Sequence, residues 1–188
     1  MDIEHSRQRL RAFMMERSIR RGDFTLTSGR KSTYFMDGKA TTLSAEGAVL
    51  VGRVIYDMIK DLDLDAVGGP TIGADPIATA VSIESFHQGK PIDAFIVRKD
   101  EAKGHGMRDR IAGPLKPNSK VVVVEDAVTT GGSMLQALDA VRDAGHTVVR
   151  VITIVDRLEG GQANLKARGY DLASVFTVRD LGIDVVAL

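Results

Sequence analysis

Residues 121–133 read Val-Val-Val-Val-Glu-Asp-Ala-Val-Thr-Thr-Gly-Gly-Ser. A run of β-branched residues with no polar face is the pattern of a strand buried on both sides of a sheet. It breaks into two adjacent carboxylates, Glu125 and Asp126, at the strand's carboxyl end, where open α/β sheets place their ligands. Small, hydroxyl-bearing and glycine residues follow, Thr129, Thr130, Gly131, Gly132 and Ser133, and then a helix-like stretch from Met134 to Ala144. Such a loop can turn several backbone N–H groups and hydroxyls inward, and the helix start adds partial positive charge. Together they cradle a phosphate dianion.

Carboxylates beside a phosphate would repel it, so the acids need another partner. Glu125 and Asp126 suit the neutral vicinal hydroxyls of a sugar, to which carboxylates are strong acceptors. A phosphate cradle beside diol acceptors describes a ribose 5-phosphate site. Neither G-x-x-x-x-G-K-[ST] nor G-x-G-x-x-G occurs in the chain. The order of hydrophobic strand, acid pair and Thr/Gly-rich loop resembles the phosphoribosyl-pyrophosphate motif of the type I phosphoribosyltransferases, with Ala127 and Val128 inside it.

At 188 residues the chain suits one α/β domain with small attachments. Its 25 basic and 25 acidic residues create no overall field favouring nucleic acid or an anionic membrane, so any anion site is local. Absence of cysteine excludes thiol catalysis, thiolate metal sites and disulfides. No apolar run approaches the roughly 20 residues that span a bilayer, and Asp2, Glu4 and His5 interrupt any signal-peptide core. A soluble cytoplasmic protein is the expectation.

Along the chain, Ile3, Leu10, Phe13, Met14 and Ile19 predict an amphipathic first helix over 2–20, ended by Gly22 and Asp23. Phe24 to Asp37 reads as two short strands around Ser28-Gly29-Arg30. Ser44 predicts the N-cap of a helix reaching about Lys60, with Leu50, Val51, Val54, Ile55, Met58 and Ile59 on one face. Residues 65–69 read as a buried strand. They deliver the loop Pro70 to Pro76, where amides around Gly69, Thr71, Ile72 and Gly73 could bind a second anion ahead of a helix from about Pro76 to Phe86. A strand over 92–97 gives way to Arg98-Lys-Asp-Glu-Ala-Lys-Gly-His-Gly-Met-Arg-Asp-Arg-Ile-Ala-Gly113, a charged stretch with no apolar periodicity, which inside a compact domain is either functional or disordered. Gly145 predicts the stop of the helix from Met134. A strand over 147–155, a short helix over 163–168 and a last strand over 173–178 complete the alternation. Asp156-Arg157 ends its strand, and Arg157 is either a salt-bridge residue or a bidentate partner for a ligand carboxylate.

Strand–helix alternation implies a mainly parallel sheet flanked by helices. Taken together, F-T-L-x-S-G-x-x-S-x-Y-F from Phe24, R-K-x-x-x-K-x-H from Arg98 and the 121–133 motif resemble the orotate phosphoribosyltransferases over nearly the whole chain. Thr27 departs from the pattern, since many relatives have lysine there. The resemblance implies a type I phosphoribosyltransferase fold in a single domain, 1–188, with residues 1–40 as a small N-terminal hood. It implies transfer of ribose 5-phosphate from phosphoribosyl pyrophosphate to orotate, giving orotidine 5′-monophosphate and pyrophosphate for pyrimidine synthesis. Lys103, His105 and Asp126 would be catalytic. Arg98, Lys99, Lys103, His105, Thr71, Ile72, Gly73 and 125–133 would bind phosphoribosyl pyrophosphate, and Thr129, Arg157, Tyr34 and Phe35 would bind orotate. Mg²⁺, held by pyrophosphate and ribose oxygens without a direct side-chain ligand, is the implied cofactor. A homodimer in which loop 98–113 reaches the partner's site is the implied assembly. A purine or uracil phosphoribosyltransferase and a non-catalytic phosphoribosyl-pyrophosphate sensor remain the alternatives, although no helix-turn-helix or basic stripe is present.

Overall fold

The computed structural model describes residues 2–25, 31–99 and 110–184. In chain order its elements are α1 (Ile3–Arg17), β1 (Ile19–Thr25), β2 (Lys31–Met36), α2 (Lys39–Thr42), α3 (Ala45–Ile59), β3 (Ala66–Pro70), α4 (Ala74–His87), β4 (Asp93–Val97), β5 (Ile111–Ala112), β6 (Lys120–Val128), α5 (Gly132–Asp143), β7 (Thr147–Asp156), α6 (Gly161–Ala167) and β8 (Leu172–Thr177). The main sheet has the order β5-β4-β3-β6-β7-β8, parallel except for β5, which runs antiparallel to β4. This is the expected α/β architecture.

The valines at the head of β6 explain why its sequence shows no polar face. Val121 and Val123 join a core with α5, Phe95 and Leu165, while Val122 and Val124 join a second core with α3, α4, Ile152 and Ile154. Alternate side chains of a strand point to opposite faces. A central strand covered by helices on both sides is therefore apolar at every position, and the sheet is a partition between two cores.

Local signals set several boundaries. Ser44 Oγ accepts from the Gly47 amide at 3.1 Å and caps α3. Past α5, Gly145 adopts a left-handed φ of 81°, which lets its amide reach the Arg142 carbonyl and the His146 amide reach that of Val141. That pair of bonds satisfies carbonyls the helix leaves open.

Three boundaries differ from expectation. The first helix stops at Arg17, and Ile19, Gly22 and Asp23 lie within β1, because the backbone there pairs with β2 from Ile19↔Met36 to Thr25↔Lys31. Helical periodicity alone does not register a strand partner more than ten residues ahead. α4 begins at Ala74 and takes Pro76 into its first turn, where a missing N–H costs nothing. The far end of the 98–113 stretch is not loop: Ile111 and Ala112 pair with Val97 and Ile96 as β5. The short α2 had no counterpart in the sequence reading. Among the described residues no helix is long and apolar enough to cross a membrane.

α1 is tied to the helices that follow by polar contacts. Ser18 Oγ, at its C-cap, and Thr41 Oγ1 of α2 are 2.7 Å apart in a buried pair, and Arg9 Nε donates to Glu46 Oε1 of α3 at 2.5 Å. The β1–β2 hairpin meets the main sheet where Tyr34 accepts from Arg157, the residue after β7.

Candidate active site

Alternation along β6 continues into its acids. Glu125 lies on the α5 side, where its Oε1 accepts from Ser133 Oγ at 2.5 Å. Asp126 lies on the opposite side, towards the hood and the β3–α4 loop, with Oδ1 accepting from the Ala127 amide at 3.0 Å. The two carboxylates thus flank the end of one strand rather than standing side by side. Both are largely removed from solvent, and burial, which disfavours the charged form, raises both carboxyls. Glu125 is pushed up to about 7, by burial first and by the Asp126 charge to a lesser degree, against the Ser133 hydrogen bond and the Lys99 charge. Its other oxygen, Oε2, is buried without a hydrogen-bond partner.

Asp126 sits in a mould formed by two glycines. A β-carbon on Gly73 would fall 2.5 Å from Asp126 Oδ1, and one on Gly38 would fall 2.8 Å from Oδ2. Both glycines have right-handed helical backbone angles that any residue adopts. Contact with the carboxylate, not conformation, is what excludes a side chain there. Lys39 Nζ lies 4.0 Å from Asp126 Oδ2 and 2.8 Å from Asp37 Oδ1. Its positive charge opposes the effect of burial on Asp126.

The loop after β6 carries a half-buried Thr129, an exposed Thr130 and a Gly131 with φ of 82° that starts α5. Asn164 Nδ2 donates to the Thr130 carbonyl at 3.0 Å, tying the loop to α6. The Ala127 amide is engaged by Asp126, and Val128 is a buried strand residue whose carbonyl accepts from the Arg157 amide at 2.9 Å. Across the sheet, the Thr71–Ile72 peptide is cis, Ile72 is exposed, and Thr71 Oγ1 donates to Asp75 Oδ1 at 3.1 Å. Gly73 brings this loop onto Asp126.

Arg157 and Tyr34, expected on separate grounds, meet. Arg157 Nε and Nη2 donate to the Tyr34 hydroxyl at 3.3 and 3.1 Å, and the guanidinium also pairs with Glu159 Oε1 at 3.0 Å. Arg157 is therefore in a salt bridge, as one of its two readings has it, and it stands against Tyr34. Phe35, next on β2, is exposed and packs 5.9 Å from Phe24 instead. Arg98 and Lys99 stand exposed at the end of β4, and Lys99 is close enough to stabilise the charge of Glu125. Lys103, His105, Thr27 and Ser28-Gly29-Arg30 lie outside the described residues.

Sequence reading missed Gly38, Lys39 and Glu159. No local pattern marks them, because each acts on a residue brought near by the fold. Among the described residues no group of three or more His, Asp or Glu side chains could hold a metal ion. Glu125 and Asp126 lie on opposite sides of β6 and do not converge on one point, so a hard cation near them would take its coordination from a ligand and water.

The phosphoribosyl transferase domain family matches residues 43–175. The orotate phosphoribosyltransferase of Nostoc sp. is 44% identical over 181 residues, covering 96% of this chain and 87% of its own. That of Aquifex aeolicus is 43% identical over 178 residues, covering 93% of this chain and 97% of its own. The crystal structure of Mycobacterium tuberculosis orotate phosphoribosyltransferase in complex with 5-phospho-α-D-ribosyl 1-diphosphate superposes with a TM-score of 0.81 at 39% identity, covering 95% of this chain and 99% of that one. The family match begins where the hood ends, and the whole-chain likenesses add the hood to it. The chain belongs to the phosphoribosyltransferase family, among the orotate phosphoribosyltransferases.

Proposed function

We propose that this chain catalyses transfer of ribose 5-phosphate from phosphoribosyl pyrophosphate to orotate, yielding orotidine 5′-monophosphate and pyrophosphate in pyrimidine synthesis in the cytoplasm. The observation that supports the reading is the meeting of Arg157 with Tyr34 beside the Thr/Gly-rich loop after β6, a largely shielded guanidinium lying over an aromatic ring. A flat, anionic base fits that edge.

In this reaction orotate N1, giving up its proton to the departing pyrophosphate, forms the bond to ribose C1 as the C1–oxygen bond to pyrophosphate breaks. Positive charge grows on the ribose and negative charge on the departing group. Catalysis is then positioning and electrostatic stabilisation, with no nucleophilic side chain. Amides and hydroxyls of Thr129 to Ser133 at the start of α5 hold the 5′-phosphate. Glu125 and Asp126 accept from the ribose hydroxyls and face the growing ribose charge. Thr71 to Gly73, Arg98 and Lys99 bind the pyrophosphate end, joined by Lys103 and His105, which exclude water and offset the leaving charge. Mg²⁺ would be held by oxygens of the substrate with Glu125 and Asp126 nearby, and would supply further charge neutralisation. Residues 1–40 form the hood. The assembly is a homodimer in which loop 98–113 serves the neighbouring site, and exposed Val49, Ile83 and Phe86 on the packed helices α3 and α4 offer apolar surface for it. Small molecules and a second copy of the chain, not nucleic acid or membrane, are its partners.

The test is base consumption by the purified chain with phosphoribosyl pyrophosphate and Mg²⁺, comparing orotate, uracil, adenine and hypoxanthine. Turnover of orotate alone is expected. Turnover of another base in its place, or of none, overturns the reading.

A further inference from the structure

Lys39 lies outside every motif that leads to the site, yet it reaches the central carboxylate. It follows Gly38 directly, so a hood segment delivers both a cation and a gap to the same side chain. Gly73 closes the mould from the β3–α4 loop. An aspartate fitted against two β-carbon-free positions cannot swing towards either without losing contact. Lys39 Nζ stands 4.0 Å from the Oδ2 of the carboxylate held in this mould.

We propose that Lys39 is a positioning residue for Asp126: reaching across from the hood, it holds the carboxylate in its glycine mould and supplies the compensating charge that keeps it an acceptor for the ribose hydroxyls. The inference rests on the proposed reaction. Three further groups bear on the pair. Asp37 shares the ammonium at 2.8 Å and is itself lowered by that contact, Arg20 adds weaker positive charge beside Asp37, and Glu125 stands across the strand. Asp37 and Asp126 together raise the basicity of Lys39, with the Asp37 hydrogen bond the larger cause, so the ammonium stays charged. Lys39 then divides between an outer and an inner carboxylate, and only the inner one borders the substrate loops.

Lys39→Met removes the charge and keeps the length; Lys39→Arg keeps the charge. In the substrate-free protein the Asp126 carboxyl carbon, assigned by its loss in Asp126→Asn, is titrated by ¹³C NMR. Lys39→Met should move that titration upward by about one pH unit, as expected for loss of an opposite charge at this range, and Lys39→Arg should restore it. With orotate and phosphoribosyl pyrophosphate, the acid limb of kcat/KM should rise in the same variant. On that acid limb kcat should fall by up to about tenfold, the equivalent of one such unit, with KM for phosphoribosyl pyrophosphate within about twofold. An unmoved carboxyl titration overturns the proposal. So does a raised KM with kcat intact, which would make Lys39 a direct phosphate contact. If the parent turns over no orotate, the proposed reaction fails, while the ligand-free titration still decides the ion pair.

Discussion

The Arg157 guanidinium lies over the Tyr34 ring, 5.2 Å from its centroid, and donates to the phenolic oxygen. The contact joins the hood hairpin to the end of β7 and shields the arginine, which has a side-chain exposure of 15%. A shielded arginine gains a charge-assisted pair with orotate but not with uracil. Arg157→Ala should therefore lower kcat/KM for orotate by about ten- to a hundredfold, the scale of a charge-assisted pair made by an arginine that Glu159 already partners, while leaving phosphoribosyl-pyrophosphate affinity nearly unchanged. Steady-state kinetics with both bases, plus calorimetric titration of phosphoribosyl pyrophosphate, make the comparison. Retained orotate preference would mean that the carboxylate is read elsewhere.

Tyr34→Phe keeps the ring beneath the guanidinium and removes the hydroxyl that accepts from both Arg157 Nε and Nη2. The expected loss in orotate kcat/KM is about three- to tenfold, the range of a net hydrogen bond shared by two donors on one oxygen. An effect as large as that of Arg157→Ala would show that the hydroxyl touches the base itself.

Burial of Glu125 makes stability depend on pH in a direction that can be worked out. Its carboxyl moves from 4.5 in the unfolded chain to about 7 in the fold, so between these values the folded state holds a proton that the unfolded state has lost. The contribution is complete below 4.5 and disappears as pH rises through about 7. Glu125→Gln removes this titration. Relative to the parent, the variant should be more stable at pH 8 than at pH 5 by roughly 2 to 3 kcal/mol, from urea unfolding at the two values. A parent–variant difference that does not change with pH would show that Glu125 is ionised at little cost.

Gly73→Ala tests the mould around Asp126. Its backbone angles suit alanine, although glycine is preferred to alanine at the N-cap position it holds. Contact with Oδ1 should cost about 1 to 3 kcal/mol of stability, or displace the carboxylate and lower kcat about tenfold or more. Thermal melts and kcat measured together would expose either route. A variant that is more stable and fully active would show that the carboxylate has room to retreat.

Asp126→Asn keeps the shape and removes the charge, so kcat should fall by about a hundredfold or more with normal melting. Lys103→Ala should depress kcat more than binding, because its charge acts on a group that becomes more negative in the transition state. Mixing the two variants should restore one intact site per mixed dimer if loop 98–113 serves the neighbouring subunit. Mixed dimers without recovered activity would confine the loop to its own subunit.

What the sequence determined by itself was whatever a few neighbouring residues can encode. Val121 to Val124 announced a strand covered on both faces because no position tolerates water, and Ser44 and Gly145 marked helix ends through their own side chain or lack of one. The fold class followed from that alternation of strands and helices, and the family from the motifs at 24–35, 98–105 and 121–133. Tertiary structure alone decided the strand order, the end of α1 at Arg17 and the pairing of β5, since each depends on a backbone partner distant in sequence. It also decided the surroundings of the acids. Gly38, Lys39 and Gly73 converge on Asp126 from two separate segments, and Glu159 and Tyr34 divide Arg157 between them. Such contacts have no periodicity to read, because a side chain's charge and shape show in the sequence while the distance to what they act on is set only when the chain closes.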